Sequence, residues 1–487
     1  MIAAVVDQAS KVDEGVLEGR LEGRLGGMSL PRQIVFLAVW PLAQQVLNYL
    51  VGFVDTAVAG RVSVPATNAI AIGGYMQWFM GLMFMAVGTG ATALVARSVG
   101  AGDRALAERV LGQAVLLALG VGVLVTGMIW ATAGPIGWVV GLRAEDGSLG
   151  LAETYLRVSS LTACFGAVLF VGGACLAGAG DTRSPFWIML AVNGVNVALT
   201  LWLALEPWTF RWESAGLEVA LPGLGWGVAG IAWGTAISWA AGGVLTVAVL
   251  LRGTHGLRLC RSCLRLEGGL SRRVLRLGLP NFWERAGQWV GNFAVLAVLG
   301  YHAVAGMVEG MQGAHIVAIR IEAMSFLPGL AFATAASTLT GQYLGAGSVA
   351  QAKRAAVGCW VMGGGMMGLM GVVFLAVPEW LTRLLTDEPV LIEMASPLVF
   401  YAGLIQFFFA SYMVLSGAMR GAGDTRTPMV LTNVMTWLVR LPLVLLGAWW
   451  FEDKLLGVWA GLLTELFLRG VVFIVWFGRG KWAEVEV

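Results

Sequence analysis

The hexapeptide GAGDTR occurs twice, at Gly178–Arg183 and at Gly421–Arg426, 243 residues apart in a chain of 487. Each copy ends a long apolar segment. Each is followed by a proline (Pro185, Pro428) and then by another apolar segment. The same string at the same place in two hydrophobic halves marks an internal duplication, so the fold is one unit built twice. In a membrane protein, duplicated halves point to a transporter whose site lies between the repeats.

The membrane assignment rests on composition. Hydrophobic residues make up 58% of the chain and charged residues 12%, against about 25% charged in ordinary soluble domains. Crossing the hydrocarbon core takes about 20 apolar residues in a helix. Twelve stretches meet that length: 34–59, 66–96, 107–140, 151–178, 185–205, 224–251, 274–300, 305–342, 352–385, 390–419, 428–450 and 455–478. In lipid every backbone N–H and C=O needs an internal partner, so only helices or closed barrels span. The runs are solidly apolar, without the period-two alternation of barrel strands. The expected fold is all-α and integral to the membrane, with twelve helices in two pseudo-symmetric six-helix bundles.

With twelve spans both termini share a side. That side carries 21 Lys and Arg residues and the other carries six; the positive-inside rule places both termini in the cytosol. The expected layout is a tail (1–32), a first lobe (33–252), a cytosolic connecting loop (253–273), a second lobe (274–479) and a tail (480–487). The plasma membrane is the expected location, the inner membrane in a bacterium. The first 32 residues lack the pattern of a signal peptide. No soluble basic domain is present, so nucleic acid is not an expected partner; the bilayer is, and a monomer is expected. Cys260 and Cys263 form a lone CxxC in the connecting loop, where cytosolic thiols are expected to stay reduced.

The repeat extends beyond the hexapeptide. ARSVGAGDRALAERV near Gly100 matches GQYLGAGSVAQAKRA near Gly345. The Gly100–Gly345 register sets Gln77 opposite Glu322, and WPLAQQVLNYLVGF aligns with LPNFWERAGQWVGN through Pro41 and Pro280, which sets Gln45 opposite Glu284. The scaffold is shared while the charges differ. Asp181 and Asp424 are expected to cap the helices that follow the GAGDTR turns.

In order along the chain, VDTAVAG (Val54–Gly60), the Gly-Ala-Gly turns at Gly100 and Gly345, both GAGDTR copies and WLVRLP (Trp437–Pro442) make the sequence resemble the MATE family (multidrug and toxic compound extrusion) over roughly residues 30–480. The resemblance implies a V-shaped pair of six-helix lobes and a cation-coupled antiporter that exports organic compounds, cationic or amphiphilic. It implies no enzyme activity and no cofactor; H⁺ or Na⁺ is the coupling ion. It also places a coupling carboxylate at the aspartate of VDT, Asp55.

An ionisable side chain within a span is costly, and so reads as functional. Gln44, Asn48 and Asp55 share one face of span one at 100° per residue. Asn193, Asn196 and Thr200 share a face of span five, and Thr235 of span six adds a further oxygen. Many members of the family have a second carboxylate at the place of Thr200. Asp55, Asn48, Asn193, Asn196, Thr200 and Thr235 therefore form one expected coupling group, with Asp55 and Asn196 as ligands if the ion is Na⁺. Span seven carries Asn281, Glu284, Arg285, Gln288 and Asn292 on one stripe, and Glu284 is a second coupling residue. The aspartate that one branch of the family carries in span ten is Phe409 here. Gln44, Gln77, Gln288, Asn292, His315, Glu322 and Phe409 are expected around the substrate. Arg285 or Arg320 is the expected partner of Glu284 or Glu322, and Glu465 with Arg469 an i,i+4 pair. Glu309 is expected near the outer surface.

Two alternatives stay open: a flippase or exporter of lipid-linked or polar metabolites in the same superfamily, and a membrane-embedded enzyme. Scattered histidines (His255, His302, His315) argue against the enzyme.

Overall fold

The computed structural model describes residues 21, 23–139, 147–212, 217–305 and 310–485. Arg143 and Glu309 lie outside the described residues, as do the first 20. Twelve helical segments follow one another, numbered here as spans one to twelve: Leu30–Val62, Val64–Gly100, Arg104–Val139, the pair Ser148–Ser160 and Ala163–Gly178, Arg183–Ala204, Val228–Arg252, Gly268–Ala305, Met311–Gly345, Val349–Ala376, Pro389–Gly421, Arg426–Trp450 and Lys454–Gly478. Ten of these are long and apolar enough to cross a bilayer; span four, bent by 55° at its break, makes an eleventh. Span seven has the length, at 38 residues, but its polar stripe keeps it out of that set. Span eleven contains a π-helical segment, Met435–Arg440. Between spans five and six the chain forms an antiparallel hairpin, Trp208–Trp212 with Leu217–Leu221, a departure from helix that the apolar runs do not announce.

The duplication repeats atom by atom at the helix ends. After span four the Asp181 amide donates to the Leu176 carbonyl, and after span ten the Asp424 amide donates to Met419, at 2.9 and 3.0 Å. These are the six-to-one bonds of a helix stop that needs a left-handed residue. Gly180 and Gly423 supply it, with φ of +91° and +94°. Asp181 Oδ1 then accepts from the Ser184 amide and Asp424 Oδ1 from the Thr427 amide, so both aspartates cap the next helix, as expected. Gly102 and Gly347 close spans two and eight in the same way.

The two Gly-Ala-Gly turns also pack against each other. A Cβ on Gly100 would sit 2.0 Å from the Gln342 carbonyl oxygen, and one on Gly345 would sit 2.1 Å from that of Arg97. Only glycine lets these backbones approach so closely. Thr338 Oγ1 and Gln342 Nε2 extend the seam by donating to the carbonyls of Ala177 and Gly178. On this side the halves are closed on each other.

The cores interlock. Ile34, Leu37 and Ala38 at the start of span one pack with Phe332, Trp360, Met413 and Phe473 of the second half. Leu270 and Val274 at the start of span seven pack with Val87, Ala91 and Leu111 of the first. Pro41 and Pro280 follow these segments in each helix. The connecting loop is held to span three by Gln113, whose amide donates to the Arg265 carbonyl and accepts from the Glu267 amide and Ser271 Oγ. Arg109 pairs with Glu267 beside it. The structure corrects one expectation here: Cys260 and Cys263 form a disulfide. The 3-10 turn Arg261–Leu264 brings their Cα atoms to 5.3 Å, within the distance a bridge needs.

Candidate functional site

Between the halves lies a cavity of about 390 Å³, inside the size range of small-molecule sites. Spans one, two, four, five, seven, eight and ten all reach it. The first half contributes Pro41, Gln44, Asn48, Phe84, Met85, Phe170 and Ile188 to its wall, and the second half Asn281, Arg285 and Arg420. Asn281 Nδ2 donates to Thr89 Oγ1 across the two halves at 2.8 Å. Away from the glycine seam, Trp78 stacks on Trp289 with centroids 5.6 Å apart, and Tyr75 meets Phe293 at 6.1 Å. Both pairs join span two to span seven. Tyr49 of span one adds a hydroxyl donated to the Arg320 carbonyl of span eight.

Four of the polar residues expected in the first half form two hydrogen-bonded pairs. Asn193 Nδ2 donates to Asn48 Oδ1 at 3.0 Å, which ties span five to the cavity wall. One turn along, Asn196 Nδ2 donates to Thr235 Oγ1 of span six at 3.3 Å. Asn193, Asn196, Thr200 and Thr235 are all buried. Thr200 sits against Gly234, where a side chain would collide with its hydroxyl. Two of these oxygens, Asn196 Oδ1 and Thr200 Oγ1, are buried without a partner among the described residues. Buried polar atoms are nearly always satisfied, and two neighbouring orphan acceptors suit a small cation or a proton donor. Asp55 lies on span one, seven residues beyond Asn48; its side chain is outside the described residues.

In the second half most of the expected site residues are committed to helix packing. Glu284 is fully buried and accepts at Oε1 from Arg420 Nη2 at 2.8 Å and Thr432 Oγ1 at 3.2 Å. Its partner is therefore Arg420, at the end of span ten, and not Arg285 or Arg320. Arg320 is exposed, and Arg285 is left on the cavity wall. Gln288 donates to the Tyr412 hydroxyl, and Phe409 stacks on the Tyr412 ring at 3°. Gln77 of the first half is similarly tied to the Tyr155 hydroxyl. His315 accepts at Nδ1 from the Trp459 indole at 3.1 Å, a neutral packing contact. Glu322 keeps a buried Oε1 without a partner. Of the residues expected around the substrate, Gln44 lies on the cavity wall; Gln77, Gln288, Asn292, His315, Glu322 and Phe409 do not.

A buried charge network joins spans seven, eleven and twelve. Glu465 accepts from Arg469 Nε at 2.6 Å, the i,i+4 pair visible in the sequence, and from Arg440 Nε at 2.9 Å. Arg440 Nη1 also donates to Asn292 Oδ1, and Arg469 Nη2 to Thr436 Oγ1. The π-helical segment presents Arg440 to this network. Its WxxRxP motif marked the residue, but not the carboxylate it reaches. Arg420 had no such signal: it precedes the second GAGDTR as an ordinary basic residue at a helix end.

Comparisons with known proteins agree with one another. The MatE family model matches residues 42–202 and 282–446, the two stretches that the internal repeat pairs. A Thermotoga maritima protein described as a probable multidrug resistance protein NorM is 29% identical over 457 residues, covering 94% of each chain. The multidrug resistance protein PmpM of Pseudomonas aeruginosa is 26% identical over 462 residues, covering 92% of this chain and 91% of its own. The fold also superimposes on a crystal structure of a MATE protein in the bent conformation, with a TM-score of 0.82 at 20% identity, over 97% of this chain and 98% of that one.

Proposed function

The chain belongs to the MatE family, and on that premise we propose that it is a secondary antiporter. In this reading it exports amphiphilic organic compounds in exchange for H⁺ or Na⁺ by alternating access between two lobes, residues 33–252 and 274–479. The observation that carries ion coupling is the pair of buried, partnerless oxygens on Asn196 and Thr200. They lie on the face of span five that also carries Asn193, which donates to Asn48 on the cavity wall. Asp55 supplies the negative charge that these neutral oxygens lack. The excess of Lys and Arg on one side supports cytosolic termini, and the bacterial relatives support the inner membrane.

A protonated Asp55, or one that holds Na⁺, favours one lobe arrangement; substrate favours the other. An ion shifts this equilibrium only by its difference in affinity for the two states. In proteoliposomes carrying a fluorescent amphiphile, a pH gradient or a sodium gradient imposed alone is expected to drive efflux, and the effective gradient identifies the ion. Asp55→Asn is expected to abolish gradient-driven transport while leaving the melting temperature unchanged. Thr200→Val removes one orphan oxygen, and is expected to raise the half-saturating ion concentration about tenfold, the worth of one bond to a charged species. Full gradient-driven transport by Asp55→Asn would remove that residue from the mechanism.

A further inference from the structure

The transporter reading leaves the charge of the cargo open, and the cavity wall bears on it. Resting on that reading, we infer that the cavity recognises amphiphilic organic anions, held at the head group by Arg285 with Arg420 beside it. Among the described residues, Arg285 and Arg420 are the charged side chains on the wall, and no carboxylate lines it. They come from spans seven and ten, so both guanidinium groups stand on the second-half side of the cavity. Arg420 is nine-tenths buried and has one bond to Glu284, yet its Nε is buried without a partner. Arg285 makes no ion pair or hydrogen bond among the described residues, and its Nε is likewise buried and unpartnered.

Glu284 balances one of the two positive charges, so the described residues of the wall keep a net charge of one cation. A guanidinium without a partner in a half-enclosed site is costly. Its planar fork fits a carboxylate, sulfonate or phosphate through two parallel bonds. The wall also carries Phe84, Met85, Leu169, Phe170, Ile188 and Met189, which suit an apolar body and offer nothing to a second charge. A cation in the same place would meet an uncompensated like charge. The cargo is therefore an anion with an apolar ring system, in contrast to the cationic compounds that the family resemblance brings to mind.

Fluorescein and rhodamine 123 share a xanthene scaffold and differ in charge, so they separate charge from shape. Binding to the purified full chain is read by fluorescence anisotropy, and transport is read in proteoliposomes under an ion gradient. Fluorescein is expected to bind about tenfold or more tightly than rhodamine 123. Arg285→Gln should weaken fluorescein by about tenfold, the loss of a charge-assisted contact. Arg285→Lys, which keeps the charge but loses the fork, should recover part of that affinity, and neither variant should weaken rhodamine 123. Preference for rhodamine 123 in the parent, or unchanged fluorescein affinity in a folded Arg285→Gln chain, overturns the anion assignment while gradient-driven movement of the cation leaves the antiporter reading in place. If neither dye binds or moves under any gradient, the antiporter reading falls, and the anion assignment with it.

Discussion

Replacing Glu465 with alanine is expected to destabilise the protein on the order of 3–5 kcal/mol, the effect of breaking a buried ion pair by removing one partner. Glu465 is fully buried and accepts from both Arg440 and Arg469. Without it two guanidinium groups face each other across spans eleven and twelve. Asn292, Thr436 and the ring of Tyr412, 5.0 Å from the Arg469 guanidinium, remain as neutral partners, and Glu322, which acts on Arg440 through space, is one carboxylate against two cations. The midpoint of heat-induced unfolding in detergent measures the loss. The triple variant Arg440→Met, Glu465→Leu, Arg469→Met removes every member at once, and is expected to regain most of the stability, because well-packed apolar residues replace buried ion networks at little cost. A Glu465→Ala protein that melts with the parent would show that water reaches the network and screens it.

Gly345→Leu is expected to open the glycine seam. Its Cβ alone would lie 2.1 Å from the Arg97 carbonyl oxygen, a backbone atom that cannot rotate away. Spans two and eight must separate there, and the bonds from Thr338 and Gln342 to the end of span four break with them. Overpacking of this kind costs about 1–3 kcal/mol. A closed state weakened by that much loses roughly five- to 150-fold in population against the open one, at about 1.4 kcal/mol per tenfold. Spin labels at the exposed positions Ala105 and Val349 read the separation, and transport should fall with it. Gly365→Leu provides the comparison: a Cβ there meets nothing within 4 Å. An unchanged label distance in Gly345→Leu would mean that the helices already stand apart in the membrane.

Much of this architecture was legible in the sequence because it is local. Apolar runs gave most of the spans to within a few residues, since lipid leaves no alternative to a helix there; span nine, expected to run to 385, stops at Ala376, where Pro378 opens a separate short helix. The capping aspartates followed from a turn whose chemistry repeats at fixed spacing. The Glu465–Arg469 pair followed from helix geometry. What did not show depends on distance in space. That Gly100 and Gly345 correspond was visible in the alignment; that they touch was not, because equivalence between repeats says nothing about contact. Glu284 was expected to pair with Arg285 or Arg320, yet its partner comes from span ten, 136 residues away. Residues with strong polar character, such as Gln288 and His315, looked like lining but satisfy their hydrogen bonds inside the second bundle. Arg285, which looked like a structural partner, is the one left facing the cavity.

The exchanged helix starts have a consequence for synthesis. The first half holds Leu270 and Val274 of span seven in its core, and the second holds Ile34, Leu37 and Ala38 of span one. Neither half is therefore complete when its own six spans have been made. As the chain emerges from the ribosome, the first bundle waits for the seventh span to close its packing. The beginning of span one stays without its final neighbours until Phe473 near the C-terminus has been inserted. A nascent chain stopped halfway would present apolar surface at both unfinished places, and a duplicated ancestor made as separate copies would have had to exchange these ends to mature.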